Sequence, residues 1–306
     1  TEEISEDLRR RDFTMNAIAV SPDRGIVDPY RGRDDIESRL IRGIGDPRVR
    51  FEEDALRILR AIRFSSQLNF EIDADTFQAM KERAGLLRHI SRERILEEFT
   101  KIVIAPNSGK GLRLLLDGAI LPYILGEDCV KNAGTTEMER LALLAENIDR
   151  TKPEASLRIA LVYQCFEESR ALSAIDILGY SNELKKLLLY AVSLTAESER
   201  IRDKLSLKRF ISRTGLPYYQ YLTDLSEQRC IVFRSAGVEP VNASEDDSES
   251  VTENLLENGL RHRGALLREI RDNDEPVFSG DLAVDGNDLK ELGIAEGYRI
   301  GRILKI

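Results

Sequence analysis

Residues 45–64 read GDPRVRFEEDALRILRAIRF, and the chain changes character inside this stretch. Asp46 followed by Pro47 pairs an N-cap with a first-turn proline, so a helix is predicted from here through Phe64. At about 100° per residue, Ala55, Leu56, Ile58, Leu59 and Ile62 fall in one arc. Glu53, Asp54, Arg57 and Arg60 take the other side, with Arg63 at the boundary beside Leu56. One side of this helix is core and the other is a row of charge.

Upstream of this stretch the signals are mixed. Ala17 to Val20 and Gly25 to Val27 are short β-friendly runs around a Ser-Pro-Asp-Arg turn, which predicts a β-hairpin. A short helix over Asp34 to Ser38 and a strand over Leu40 to Ile44 follow. Downstream, helical patterns dominate. They cover Asp75 to Leu87, Ser91 to Ile104, Gly109 to Gly118, Thr135 to Ile148 and Leu157 to Cys165, then Leu172 to Ile177, Asn182 to Leu194, Leu205 to Ser212 and Val251 to Asp272. A last helix begins at Ile300. Pro217 with Tyr218, Tyr219 and Tyr221 reads as a packed turn, and the apolar-free acidic run 244–250 as a linker or cap. The fold class is therefore mainly α and multi-domain, with a small α/β part at the N-terminus.

Composition narrows the function. A chain of 306 residues with 42% hydrophobic and 32% charged residues has enough apolar material for a sizeable core. The net charge is −9, which argues against a protein coated in positive charge but leaves room for a local basic groove. Cys129, Cys165 and Cys230 are far apart and odd in number, so neither a disulfide framework nor a zinc motif fits, and a reducing cytoplasm is expected. No apolar run approaches the roughly 20 residues that span a bilayer. With only His89 and His262, no histidine-based metal cluster can form. The Asp73-x-Asp75 and Asp272-x-Asp274 pairs read as caps or loop residues.

The charged face of the 45–64 helix can do more than sit in solvent. Cytosine and adenine each present an exocyclic amine donor beside a ring-nitrogen acceptor, whereas uracil and guanine present the reverse. A carboxylate only accepts and a guanidinium only donates, so Asp54 on the amine and Arg57 on the ring nitrogen would fit C or A and reject U or G. Arg60 and Arg63 could then meet phosphates. A solvated face with ordinary surface pairs has the same spacing. A second charged segment, Arg9-Arg10-Arg11-Asp12, runs into the hairpin and could be a solvated edge or a ribose and triphosphate contact, with Asn16 pinning the turn. Arg261, His262 and Arg263 with Arg268 and Arg271 form a candidate basic patch for an RNA backbone.

The stretches LRRRDFTMNAIAV (8–20), IVDPYRGRDDIESRLIRGIGDPRVRFEEDALRILRAIRF (26–64) and HISRERILEEF (89–99) resemble the class II tRNA nucleotidyltransferases, the CCA-adding enzymes and their bacterial poly(A) polymerase relatives. The resemblance is dense over residues 4–126. It implies nucleotide-binding roles for Arg11, Asp54, Arg57, Arg60 and Arg63, and a helix-stabilising role for Glu93, Arg94 and Glu97. It further implies the end of a nucleotidyltransferase head over 1–48, a helical neck over 49–104, a helical body over 105–215 and a helical, tRNA-binding tail over 216–306. Residues 282–289 and 297–304 are similar to the tail motif of bacterial members, with Glu296 where a proline is common.

The activity implied is template-independent addition of CMP and AMP from CTP and ATP to the tRNA 3′ end. A poly(A) polymerase, a split CC- or A-adding enzyme, or a non-catalytic RNA-binding module would share the same motifs. The phosphate loop and the paired carboxylates that hold Mg²⁺ in this family precede the first motif. They are expected upstream of Thr1, so no catalytic or metal residue is assigned within the chain. A chain without them would bind nucleotide better than it catalyses.

Overall fold

The computed structural model describes residues 2–21, 25–233, 253–278, 281 and 290. The acidic run 244–250, the tail segments 282–289 and 297–304 and the helix anticipated at Ile300 lie outside the described residues. The rest is mainly helical, and the described residues fall into two compact units, divided between Val192 and Ser193 and again after Cys230, with Ile231 to Phe233 grouped with the first.

The first unit opens with α1 (Glu2–Arg9), a 3-10 turn (Thr14–Asn16) and the antiparallel hairpin β1 (Ala19–Ser21) and β2 (Gly25–Val27), with Val20 opposite Ile26. The hairpin stands where its turn composition placed it. Next come α2 (Gly32–Glu37) and β3 (Leu40–Ile41). β3 pairs in parallel with β4 (Glu71–Ile72), and Gly43 bridges to Phe13. This small α/β part is knitted by side chains. Asp28 accepts hydrogen bonds from the Gly32 and Arg33 amides at 2.7 and 2.9 Å, and the Thr14 hydroxyl donates to Asp35 at 2.6 Å. Gly32 is required by contact: a Cβ there would fall against the Thr14 carbonyl, 2.7 Å from its carbon.

The stretch predicted as one helix is two. α3 (Pro47–Glu53) starts as expected, with the Asp46 carboxylate accepting from the Arg48 amide at 2.9 Å and Pro47 in the first turn. It ends at Asp54, which is extended (φ −152°, ψ 102°), and α4 (Leu56–Leu68) begins afresh. The reason is the local hydrogen bonding of aspartate: Asp54 Oδ1 accepts from the Leu56 amide at 3.1 Å, so the residue closes one helix and turns the chain into the next. Asp54 therefore lies at a junction and not on a helical turn. The apolar arc survives, with Ala55, Leu56, Ile58, Leu59 and Ile62 all buried.

Around α4 pack α6 (Arg92–Val103) and α7 (Ser108–Asp117), while α3 lies against α5 (Ala74–Arg83). Asp73 caps α5 and Asp75 pairs with Arg48, so that Asp-x-Asp is structural. Gly111 lets α7 approach closely, because a Cβ there would meet Ser66 and lie 2.7 Å from Ile102 Cγ2. The unit continues through α8 (Leu121–Leu125), α9 (Glu127–Lys131), α10 (Thr135–Asn147), α11 (Ala155–Tyr163) and α12 (Glu168–Ile175). Arg158 on α11 is buried and donates to the carbonyls of Val103, Thr151 and Lys152 at 2.8 to 3.1 Å, tying the end of α6 to the turn before α11. The division between units passes within α13 (Asn182–Glu199).

The second unit holds α14 (Lys204–Thr214), most of α15 (Leu216–Phe233) and α16 (Glu253–Asp272), with α14 packed on α16. The tyrosine segment is helical and not a turn, since Pro217 starts α15, but its packing is as read: Tyr219 and Tyr221 are buried. The basic patch anticipated on α16 is not a single surface. Arg263 is buried and donates to the Glu199 carbonyl at 3.0 Å. No helix among the described residues is long and apolar enough to cross a membrane.

Candidate functional site

A cleft of about 510 Å³ opens in the first unit, where the end of α1 and its following turn meet the α3–α4 junction and α6. Arg10, Arg11, Arg57, Arg60 and Arg94 line it against two carboxylates, Asp12 and Asp54. Five guanidiniums and two carboxylates make this cleft basic on a chain whose net charge is −9. An anionic ligand is what such a surface attracts.

Asp12 forms a fixed floor. Its Oδ1 accepts from the Phe13 amide at 2.9 Å and from Asn16 Nδ2 at 2.8 Å, and its Oδ2 accepts from Arg60 Nε at 2.8 Å. The carboxylate is buried, so these bonds hold Arg60 to one orientation above it. Asn16 pins the turn through Asp12.

Arg57 is fixed more tightly than a surface residue. Its Nη1 donates to the Arg50 carbonyl at 3.0 Å and to Glu53 Oε2 at 2.8 Å, and its Nη2 donates to the Arg10 carbonyl at 2.8 Å. The planar fork spans the end of α3 and the segment after α1, a geometry one ammonium could not reproduce. Asp54, at the junction, turns Oδ2 to Arg94 Nη2 at 2.9 Å.

Arg10 and Arg11 are exposed and pair one turn back, with Glu6 at 2.6 Å and Asp7 at 2.8 Å. The hydrogen bond to Asp7 raises the pKa of Arg11. Pairs this exposed are worth little, so a phosphate can displace them.

Four of the five sequence-derived positions, Arg11, Asp54, Arg57 and Arg60, come together at this cleft. Arg63 does not line it. Its side chain turns inward, donating from Nη1 to Glu98 Oε1 on α6 at 2.8 Å, with its guanidinium 4.4 Å from the centre of the Phe64 ring. Sequence reasoning missed Arg94 as a cleft residue, having placed it with the helix-stabilising positions Glu93 and Glu97; its partner Asp54 stands 40 residues away in the chain. Glu97 does serve its own helix, and its hydrogen bond to Lys101 holds its carboxyl below the usual range.

Comparison with known proteins points the same way. The family model described as the poly A polymerase head domain matches residues 1–42. The one described as a probable RNA and SrmB-binding site of polymerase A matches residues 69–127. A CCA-adding enzyme of Streptococcus agalactiae is 32% identical over 305 residues, covering 98% of this chain and 66% of the relative. The crystal structure of the Bacillus stearothermophilus CCA-adding enzyme in complex with CTP superposes with a TM-score of 0.69 at 28% identity, covering 98% of this chain and 68% of that one. The Thermotoga maritima CCA-adding enzyme complexed with tRNA, at 18% identity and a TM-score of 0.56, shares the fold over 99% of this chain and 68% of its own. The chain thus spans about 66% of the length of that Streptococcus agalactiae relative.

Proposed function

The chain belongs to the family of CCA-adding enzymes and poly(A) polymerases, and we propose that its cleft selects CTP and ATP for template-independent addition to the tRNA 3′ end. The observation that carries this reading is the convergence of Asp54 and Arg57 in one arginine-lined cleft. A carboxylate acceptor and a guanidinium donor match the amine and ring nitrogen shared by cytosine and adenine. Uracil or guanine would set acceptor against acceptor and donor against donor, leaving polar groups unpaired at about 1–3 kcal/mol each. Arg11 and Arg60 meet the ribose and triphosphate, and Arg63 supports α4 from behind.

The relatives' names support the substrates: one solved relative holds CTP and another tRNA. Residues 1–48 act as the end of the head, 49–104 as a nucleotide-selecting neck, 105–215 as a helical body and 216–306 as a tail that binds tRNA. The setting proposed is the cytoplasm.

Mg²⁺ supplies this chemistry with activation of the attacking 3′-hydroxyl when bound. Among the described residues no three His, Cys, Asp or Glu side chains come together to hold a metal ion. Asp12, the acidic floor of the cleft, already takes two N–H donors on Oδ1, and its Oδ2 faces both Nε and Nη2 of Arg60, so neither oxygen keeps a free acceptor site. The described residues do not fit the metal, and their contribution is selection.

The test is incorporation by the full-length protein into a tRNA transcript lacking CCA, with CTP, ATP, UTP and GTP supplied singly and CTP and ATP together. Addition of C, C and A that then stops supports CCA addition. A long A tail moves the assignment to poly(A) polymerase, and tRNA binding without incorporation leaves an RNA-binding module.

A further inference from the structure

We infer that Arg94 is a positioning residue for nucleotide choice: it holds the Asp54 carboxylate in the orientation that accepts from an amine, and so sets the discrimination of C and A from U and G. The inference rests on the proposed selecting role of Asp54 and deepens it.

Both oxygens of Asp54 are engaged, each by a different element. Oδ1 accepts from the Leu56 amide at 3.1 Å, a bond within the α3–α4 junction. Oδ2 accepts from Arg94 Nη2 at 2.9 Å, a bond that comes from another helix. Two anchors fix the rotation of the carboxylate plane about its last torsion, which a single cap bond would leave free. A carboxylate oxygen has two acceptor sites, so each can still take a donor from a base.

Fixing the plane matters because acceptors are not selective by themselves. A carboxylate free to rotate could also accept from the ring N–H of uracil or guanine, and the template would be lost. Arg94 prevents this only if α6 itself is held. That is the work of Glu98, one turn along α6, whose buried pair with Arg63 at 2.8 Å clamps α6 to α4.

Arg94 is half exposed, so truncating it removes no core. Its guanidinium also lines the cleft, and a direct phosphate contact would be the competing role. The two roles differ in what they move: loss of a phosphate contact weakens every nucleoside triphosphate alike, whereas loss of positioning changes the ratio between bases.

The experiment measures binding of CTP, UTP, ATP and GTP to the full-length protein and to Arg94→Met, Arg94→Lys, Asp54→Ala and the Arg94→Met/Asp54→Ala double variant, with circular dichroism confirming the fold of each. Arg94→Met is expected to narrow the CTP to UTP ratio at least tenfold, as CTP loses its fixed acceptor and UTP gains a rotating one. Arg94→Lys should recover part of the ratio, because an ammonium can still pair with Oδ2. The double variant should discriminate no worse than Asp54→Ala alone. An Arg94→Met ratio equal to that of the unsubstituted protein overturns the inference, as does an equal loss for all four nucleotides. If the unsubstituted protein shows no base preference, the selecting role of Asp54 falls and this inference with it. If Asp54→Ala loses the preference and Arg94→Met keeps it, only the inference about Arg94 falls.

Discussion

Arg63 on α4 and Glu98 on α6 form an ion pair of 2.8 Å with both side chains almost wholly out of water. Arg63 Nε and Glu98 Oε2 are buried without hydrogen-bond partners among the described residues, so the pair leans on its one short contact and on the Phe64 ring beneath the guanidinium. Removing Arg63 leaves the buried Glu98 carboxylate with only the longer contact to Lys101, at 3.7 Å, so the cost lies towards the lower end of the about 3–5 kcal/mol expected for a stranded buried charge. Arg63→Ala is therefore expected to lower the stability of the first unit by about 3 kcal/mol in denaturant unfolding. A change under about 1 kcal/mol together with a loss of triphosphate affinity would return Arg63 to the cleft.

Arg57→Lys tests the fork. The three hydrogen bonds of the guanidinium reach two carbonyls and a carboxylate on different segments, and one ammonium cannot serve them together while still facing a base. Affinity for CTP is expected to fall about tenfold, equivalent to about 1.4 kcal/mol. Titration calorimetry with CTP reads this directly, and unchanged affinity would leave Arg57 as a surface pair.

Gly32→Ala probes the scaffold beneath the cleft. The added methyl would meet the Thr14 carbonyl and Ile18 Cγ1, and the backbone on one side of that contact carries the turn that presents Asp12 and Asn16. Overpacking of this kind costs about 1–3 kcal/mol. The melting temperature should drop and CTP binding should weaken with it; a variant that melts like the unsubstituted protein would show that α2 can shift away freely.

These sites differ in how far the sequence reveals them. Asp46 with Pro47, and the Ser-Pro-Asp-Arg turn, are local signals, and the helix start and the hairpin stand where they point. The apolar arc of α4 was equally legible, because periodicity reports which side is core. Periodicity does not report a break that leaves the arc in phase, so the extended Asp54 went unseen inside an apparently continuous helix. Arg63, at the edge of the arc, could face either way until Glu98 was known to stand behind it, 35 residues on. α15 was hidden differently: Pro217 and three tyrosines suit a packed turn as well as a helix start, and burial of Tyr219 and Tyr221 is common to both, so the sequence does not separate them. Pairings across helices, such as Arg94 with Asp54, have no signature in a single sequence.

Glu275 gives the second unit a predictable response to acid. Hydrogen bonds from Lys208, at 2.7 Å, and Lys204, at 3.0 Å, pull its carboxyl from the ordinary 4.5 down to about 2. A carboxyl depressed by folding binds its proton more readily in the unfolded chain, so the pairing stabilises the native state fully above pH 4.5. That contribution is lost as the pH falls from 4.5 towards 2. Because these groups stand partly in solvent, salt should weaken the effect. Glu275→Gln removes the titrating group, and the stability of the variant should vary less between pH 5 and pH 2 than that of the unsubstituted protein, as read by amide hydrogen exchange on α14 and α16. Equal acid sensitivity of the two proteins over that range would place the acid-labile contact elsewhere.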